Sequence, residues 1–284
     1  MMTRTIYNVV IMAAVFALSL TSCVKDKLFN TPHPDKGAVV VTADFSRRGE
    51  SCPAPQEYTL VIGSENCTAP AGQPYCHPTK FLSGNYTLVA YNVCDKMTTE
   101  SGNIRVNTLS ANIIDAMPGY LFTAKQEITV TRDDTLHIRL PMAQRTRDLH
   151  FELTVTEGDP KLIAGITGRL DGVAGVFDLT AQRPGADRFA MIPVFTRGGD
   201  KVTADARLLG VTGDKQTLTL DLAFTDGRTQ SIESDLTELL AGFNADDMTV
   251  PLTVKGNLLT PIGAGFTATI TDWEIGEKES VEIN

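Results

Sequence analysis

Alternation with a period of two runs through most of this chain, and it admits few folds. Leu149, Phe151, Leu153 and Val155 fall on one side of an extended segment, with His150, Glu152 and Thr154 on the other. Successive side chains of a strand point to opposite faces, so such a stretch has one buried and one wet face. The pattern recurs at Val202, Ala204, Ala206 and Leu208, and again at Leu218, Leu220, Leu222 and Phe224. Earlier, Ile128 and Val130 and then Leu136, Ile138 and Leu140 repeat it on either side of Asp133-Asp134, which reads as a tight turn. Val39–Phe45, Tyr58–Ile62 and Tyr86–Tyr91 are rich in β-branched and aromatic residues and read as three more strands.

Thr212-Gly213-Asp214-Lys215 and Asp226-Gly227 are turn signals between such runs. Pro160–Phe177, interrupted by glycines and by Asp171-Gly172, reads as a strand pair. Thr229–Ile232, Thr249–Val254 and Phe266–Trp273 complete the strand set, with Trp273, the only tryptophan, expected in the core. One short helix is expected, with Asp235 as its cap and Glu238 completing a capping box. Leu236, Leu239, Leu240 and Phe243 would share its apolar face, and Gly242 would end it. Many short strands and little helix predict an all-β chain of two tandem β-sandwiches. A length of 284 residues suits two domains, each with its own core. Pro141–Arg147 separates two alternating runs, so the domains are placed at 38–146 and 147–284.

The N-terminus sets the compartment. Arg4 precedes the uncharged apolar run Val9–Leu20, which leads through Thr21-Ser22 into Cys23. That is the layout of a secretory leader, too short to span a bilayer comfortably. The cysteine directly after Leu20-Thr21-Ser22 resembles a bacterial lipobox. Residues 1–22 would then be removed, and Cys23 would carry the lipid as the first mature residue. Each buried methylene contributes about 0.8 kcal/mol, so several acyl chains on one residue hold firmly. Residues 23–37 are polar, contain Pro32 and Pro34, and read as an extended tether.

The formal net charge is −9, one unit more negative once the leader with Arg4 is gone. Such a chain repels nucleic acid, and no basic, aromatic-studded stretch offsets the charge. Cys52, Cys67, Cys76 and Cys94 remain after Cys23, an even number that suits disulfides in an exported chain and allows three connectivities. If Tyr58–Ile62 and Tyr86–Tyr91 are antiparallel neighbours, Cys52 and Cys94 share one end and Cys67 and Cys76 the other. A disulfide needs its Cα atoms within roughly 7 Å, which favours Cys52–Cys94 and Cys67–Cys76. No C-x-x-C pair or usual zinc spacing is present, and neither metal nor cofactor is expected.

Catalytic signatures are missing: there is no G-x-S-x-G elbow, H-E-x-x-H, P-loop or G-x-G-x-x-G. His33 lies between prolines of the tether, and His137 and His150 fall on the polar faces of their strands. His77 follows Cys76, but adjacent residues on an extended chain point opposite ways, which argues against a nucleophile pair. Asp133-Asp134 and Asp246-Asp247 sit at turns, where aspartate is favoured for bonding its own backbone. The chain is therefore not expected to be an enzyme.

Four motifs come in a fixed order behind the lipobox. They are Leu28-Phe29-Asn30-Thr31-Pro32-His33-Pro34-Asp35-Lys36-Gly37-Ala38-Val39-Val40-Val41, Pro118-Gly119-Tyr120-Leu121-Phe122-Thr123-Ala124, Pro141-Met142-Ala143-Gln144-Arg145-Thr146-Arg147-Asp148-Leu149 and Gly265-Phe266-Thr267-Ala268-Thr269-Ile270-Thr271-Asp272-Trp273. Together they resemble the fimbrillin-A-associated anchor family, minor subunits of the type V fimbriae of Gram-negative anaerobes. The resemblance implies a surface-exposed lipoprotein of the outer membrane with two transthyretin-like sandwiches, which seats a fimbrial shaft and limits its length. It implies shaft and accessory subunits as partners and the acylated cysteine, here Cys23, as the functional residue. Shaft subunits of such systems mature by cleavage after a basic residue, and Arg47-Arg48 lies in an expected loop. The cysteine-bearing loops of the first domain depart from the family pattern. Docking by strand complementation follows from the physics of an unfilled sheet edge. A tip or accessory fimbrial subunit is the nearest rival, and a surface glycan-binding lipoprotein the next. Scarce aromatics weigh against the latter.

Overall fold

The computed structural model describes residues 35–245, 247–260 and 267–276. Among the described residues the chain is all-β apart from a 3₁₀ turn at Pro160–Leu162 and one helical turn, α1 (Thr237–Leu240). Its buried hydrophobic residues form two clusters.

The first cluster lies between two sheets. In one, β1 (Lys36–Asp44) runs parallel to β12 (Thr135–Pro141), in register from Ala38↔Thr135 to Asp44↔Pro141. The short strands β4 (Tyr75–Cys76) and β5 (Phe81–Leu82) pair with the other side of β1. The facing sheet has the order β13 (Ala143–Gln144), β11 (Phe122–Val130), β6 (Gly84–Tyr91), β2 (Glu57–Ile62) and β3 (Glu65–Pro70). Val39 and Val41 of β1 meet Leu60, Ile62, Leu88 and Phe122 of that sheet, all fully buried.

Two expectations change here. The Asp133-Asp134 turn exists, with Asp133 at φ +54°, but β11 and β12 leave it for opposite sheets. It is a corner and not a hairpin, because the parallel place beside β1 takes β12 away. The stretch holding Cys67 is a strand and not a loop: β3 forms a hairpin with β2, and Cys67 stands opposite Leu60.

The second cluster lies between larger sheets. One has the order β19 (Thr196–Gly198), β20 (Lys201–Leu208), β14 (Arg147–Glu157), β23 (Leu252–Leu259) and β24 (Thr269–Ile275). The other runs β22 (Thr229–Asp235), β21 (Thr217–Phe224), β15 (Ile163–Ala174), β18 (Arg188–Met191), β10 (Ile113–Ile114) and β9 (Thr108–Ser110). A third sheet of β17 (Arg183–Pro184), β16 (Val176–Asp178), β8 (Asn103–Val106) and β7 (Met97–Glu100) closes one side. β14 is parallel to β23, as β1 is to β12, so each unit joins its first strand in parallel to a later one. Leu149, Phe151 and Leu153 of β14 are fully buried, each worth about 1.5–3 kcal/mol relative to exposure.

Residues 97–114 cross over. The chain leaves β6, gives Met97, Ile104, Val106 and Ile114 to the second cluster, and returns through Leu121 to β11. Pro160–Phe177 is not a strand pair: after the 3₁₀ turn the long strand β15 runs to Ala174, and β16, which begins at Val176, belongs to a different sheet. Asp171-Gly172 makes a bulge inside β15, with Gly172 at φ +85° and the register shifting between Asp171 and Val173. Glu238 makes no capping box, and the N-cap of α1 is Leu236. Asp235 serves the helix start differently, its carboxylate accepting from the N–H of Thr237 at 3.0 Å. Trp273 packs against the second cluster but is only half-buried, on the edge strand β24.

Candidate functional site: an open sheet edge and the junction beside it

The linker between β13 and β14 is buried and fully engaged. Gln144 Nε2 donates to the carbonyls of Thr146 and Met248, both at 2.9 Å, while its Oε1 accepts the N–H of Gly49 at 3.0 Å. Gly49 lies so close to Thr249 that a Cβ there would sit 2.7 Å from the Thr249 carbonyl oxygen. Arg147 donates from Nε to the Val250 carbonyl at 2.6 Å, with its guanidinium carbon 5.2 Å from the centre of the Phe243 ring. Gln144 and Arg147 thus tie a loop of the first unit and the 243–250 segment of the second to one strap.

Beside the strap, Asp148 holds two partners. Tyr120 Oη donates to Oδ2 at 2.6 Å and Arg207 Nε to Oδ1 at 2.7 Å. Arg207 also lies over the Tyr120 ring, 3.5 Å from its centre, and donates to the Pro118 carbonyl. Burial first, then Asp148, raises the Tyr120 hydroxyl above its ordinary pKa. Two of the sequence motifs, Pro118–Ala124 and Pro141–Leu149, therefore meet at the contact between the two cores.

The adjoining sheet edge is open. β11 pairs with β6 from Thr123 to Val130, but β13 covers its other side only at Phe122 and Thr123. From Ala124 onward no strand among the described residues is hydrogen-bonded to that side. β12 forms the corresponding edge of the facing sheet. Unpaired backbone donors and acceptors on a strand are a template for another chain.

Cys23 and residues 24–34 lie outside the described residues, as do Asp246 and Phe266; the Leu28–Val41 motif is described from Asp35 on, and β1 begins at Lys36, two residues inside the expected tether. The four remaining cysteines are free thiols. The antiparallel pairing of β2 with β6 places Cys52 and Cys94 at the same end. Burial pushes the Cys94 thiol up to about 12 against the Asn92 hydrogen bond, with a smaller upward effect from the Cys52 thiol. Cys67 does not lie at the other end but mid-strand, opposite Leu60 and hydrogen-bonded to Tyr75, while Cys76 is exposed on β4 beside β1. Neighbouring residues of a strand face opposite ways, so Cys76 points away from Cys67.

The remaining histidines shape structure. His77 is buried, and its Nδ1 accepts the N–H of Thr79 at 3.0 Å. Burial lowers its pKa. His150 Nδ1 lies 2.6 Å from Asp205 across β14 and β20, on the solvated face. Arg47 and Arg48 lie in an exposed loop, where Arg48 donates to the Phe45 and Cys52 carbonyls. Among the described residues no group of histidine, cysteine and carboxylate side chains is placed to hold a metal, and no helix is long and apolar enough to cross a membrane.

The family model for fimbrillin-A associated anchor proteins Mfa1 and Mfa2 matches residues 57–279. No curated sequence matches the chain. Among solved structures, the fimbrial anchor protein Mfa2 from Porphyromonas gingivalis is 12% identical, with a TM-score of 0.62, covering 84% of this chain and 97% of its own. A Bacteroides ovatus protein provisionally termed an adhesin is 14% identical, with a TM-score of 0.62, and the coverage is 87% and 95%. A Bacteroides thetaiotaomicron protein provisionally assigned to polysaccharide binding is 9% identical at a TM-score of 0.55, covering 85% and 99%. At these identities the structures speak for the fold, and the family match carries the kinship: the chain belongs to the fimbrillin-A associated anchor proteins.

Proposed function

We propose that this protein is the lipid-held anchor, or a minor structural subunit, of a fimbria on the outer membrane, and that it docks shaft subunits by strand complementation and limits fimbrial length. The observation that carries the docking step is the bare outer side of β11 from Ala124 to Val130. An incoming strand there would gain backbone hydrogen bonds and alternate side-chain pockets without any rearrangement of the sheet. Family membership supports the fimbrial assignment. The lipobox at Cys23 supports the membrane attachment, and the twelve residues Val24–Asp35 would reach about 40 Å when extended. The units 38–146 and 147–284 act as two domains in this reading, with 97–114 lent by the first to the second core.

Surface glycan binding, suggested by one relative's designation, is less well supported. The large apolar side chains most exposed are aliphatic, Val194, Val93 and Leu109 among them, and offer no aromatic platform. Deletion of the gene tests the proposal: fimbriae are expected in the medium or at uncontrolled length on the cell. Surface fimbriae unchanged in amount and length would count decisively against it.

A further inference from the structure

At the near end of the open β11 edge lies a cationic cleft. Arg145 donates from Nε to Thr123 Oγ1 at 2.8 Å and from Nη2 to Gln182 Oε1 at 2.9 Å. Both acceptors are neutral, and Thr123 Oγ1 itself donates to the same Gln182 oxygen at 2.8 Å. No carboxylate among the described residues pairs with this guanidinium, and burial lowers its pKa. One ring face of Phe177 lies 5.5 Å below it. Gln182 is held at φ +56°, a strained conformation for a residue with a side chain, and its Nε2 is tied to the Leu179 carbonyl. Arg145 and Gln182 line both a cleft of about 650 Å³ and a smaller one of about 220 Å³. The smaller runs along the β11 edge past Ala124, Lys125 and Gln126.

The charge around the cleft is positive although the chain is acidic. Lys125, whose Nζ donates to the Thr180 carbonyl at 2.9 Å, and Arg183 stand exposed on its rim. Among the described residues Asp178 is the one carboxylate lining the larger cleft; its charge is held by the N–H groups of Thr180 and Ala181 at 2.7 and 2.8 Å, with Arg183 and Lys125 also acting on it, so three cations face one anion. A partly desolvated arginine bonded only to neutral acceptors is a strong receptor for a carboxylate, because the charge-assisted pair replaces no existing one.

We infer that Arg145 is the specificity-determining residue of a peptide-docking site, and that the segment laid along β11 is an extended chain carrying a carboxylate that reaches this guanidinium. The inference rests on the strand-docking reading and adds its partner's chemistry. A peptide is favoured over an anionic sugar because the cleft continues into a row of unpaired backbone groups, which an extended peptide matches in register.

The test uses the full mature chain, immobilised, with two eight-residue acetylated peptide libraries. One carries a fixed glutamate and the other glutamine at that position, with β-forming residues elsewhere. The glutamate library is expected to be retained roughly tenfold more strongly, with the preference lost in Arg145→Gln and partly kept in Arg145→Lys. Because Arg145→Gln could loosen the junction, the rim variants Lys125→Gln and Arg183→Gln are measured too, and each should weaken retention of the glutamate library by a smaller factor. Equal retention of both libraries would overturn the carboxylate inference and leave strand docking standing. Retention of neither would count against both. Capture of uronic-acid oligosaccharides through Arg145, with no peptide retained, would overturn the choice of occupant.

Discussion

Asp148 is the residue whose loss should be felt most widely, because its carboxylate joins groups from both units. Replacing it with alanine removes two charge-assisted hydrogen bonds, from Tyr120 at 2.6 Å and Arg207 at 2.7 Å, and leaves Arg207 without a carboxylate, held only by the Pro118 carbonyl and the Tyr120 ring. Exposed ion pairs contribute about 0–1 kcal/mol, whereas breaking a buried one costs about 3–5 kcal/mol. The side chains of Arg207 and Asp148 are 15% and 25% exposed, much nearer the buried case. Asp148→Ala is therefore expected to cost about 3 kcal/mol, a fall in Tm of roughly 6–12 °C for a body of this size. Tyr120→Phe removes one bond to a charged acceptor and should cost about 1.5 kcal/mol. In the Asp148→Ala background the hydroxyl has lost that acceptor, so the second substitution should cost almost nothing. Urea unfolding of the four proteins gives a coupling energy of about 1–1.5 kcal/mol if the geometry is right. Costs that add to within about 0.5 kcal/mol would refute the reasoning, since groups in one network cannot be independent.

Other expectations follow from single positions. Gly172→Ala should destabilise by about 2 kcal/mol or more, since φ is +85° and a Cβ would lie 2.5 Å from the Lys215 carbonyl oxygen. Gly227→Ala, with the same φ but open space around it, should cost only about 1 kcal/mol in the same thermal melts. In reducing buffer, stability should be full below pH 9 and fall as pH rises towards 12. Burial raises Cys52 to about 11, and Cys94 and Tyr58 to about 12, so the unfolded chain gives up these protons first. A urea midpoint that stays flat from pH 8 to 11 would contradict this. In the exported protein, Cys52 and Cys94 are expected to lose two protons and two electrons to a thiol–disulfide oxidoreductase and form one disulfide. A non-reduced digest with Cys52 paired to Cys67 instead would remove that expectation.

Much of the fold was legible because it is local. The burial of β14, β20 and β21 follows the alternation of Leu149–Val155, Val202–Leu208 and Leu218–Phe224 residue by residue. What depends on distant partners was not legible. Nothing near Val39 or Thr135 announces that β1 and β12 lie parallel, 97 residues apart at Ala38↔Thr135 by number. The crossover of 97–114 was hidden because β7 and β9 are mostly exposed edge strands with no apolar face to repeat. Asp171-Gly172 has the composition of a turn, and a bulge uses the same positive φ, so sequence alone could not separate them. Among site residues, Cys23 was legible from its leader but lies outside the described residues. Arg145 was present in a motif yet carried no signal of its own. Its lack of a carboxylate partner emerges only when Thr123 and Gln182, far from it in sequence, are brought around it.

The most direct measurement of the central claim is metabolic labelling with an alkyne fatty acid, followed by fractionation of cells carrying the native chain or Cys23→Ala. The native protein is predicted to take the label and sediment with outer membrane and fimbriae, and the variant to do neither. A native protein found unlabelled and free in solution would contradict the account.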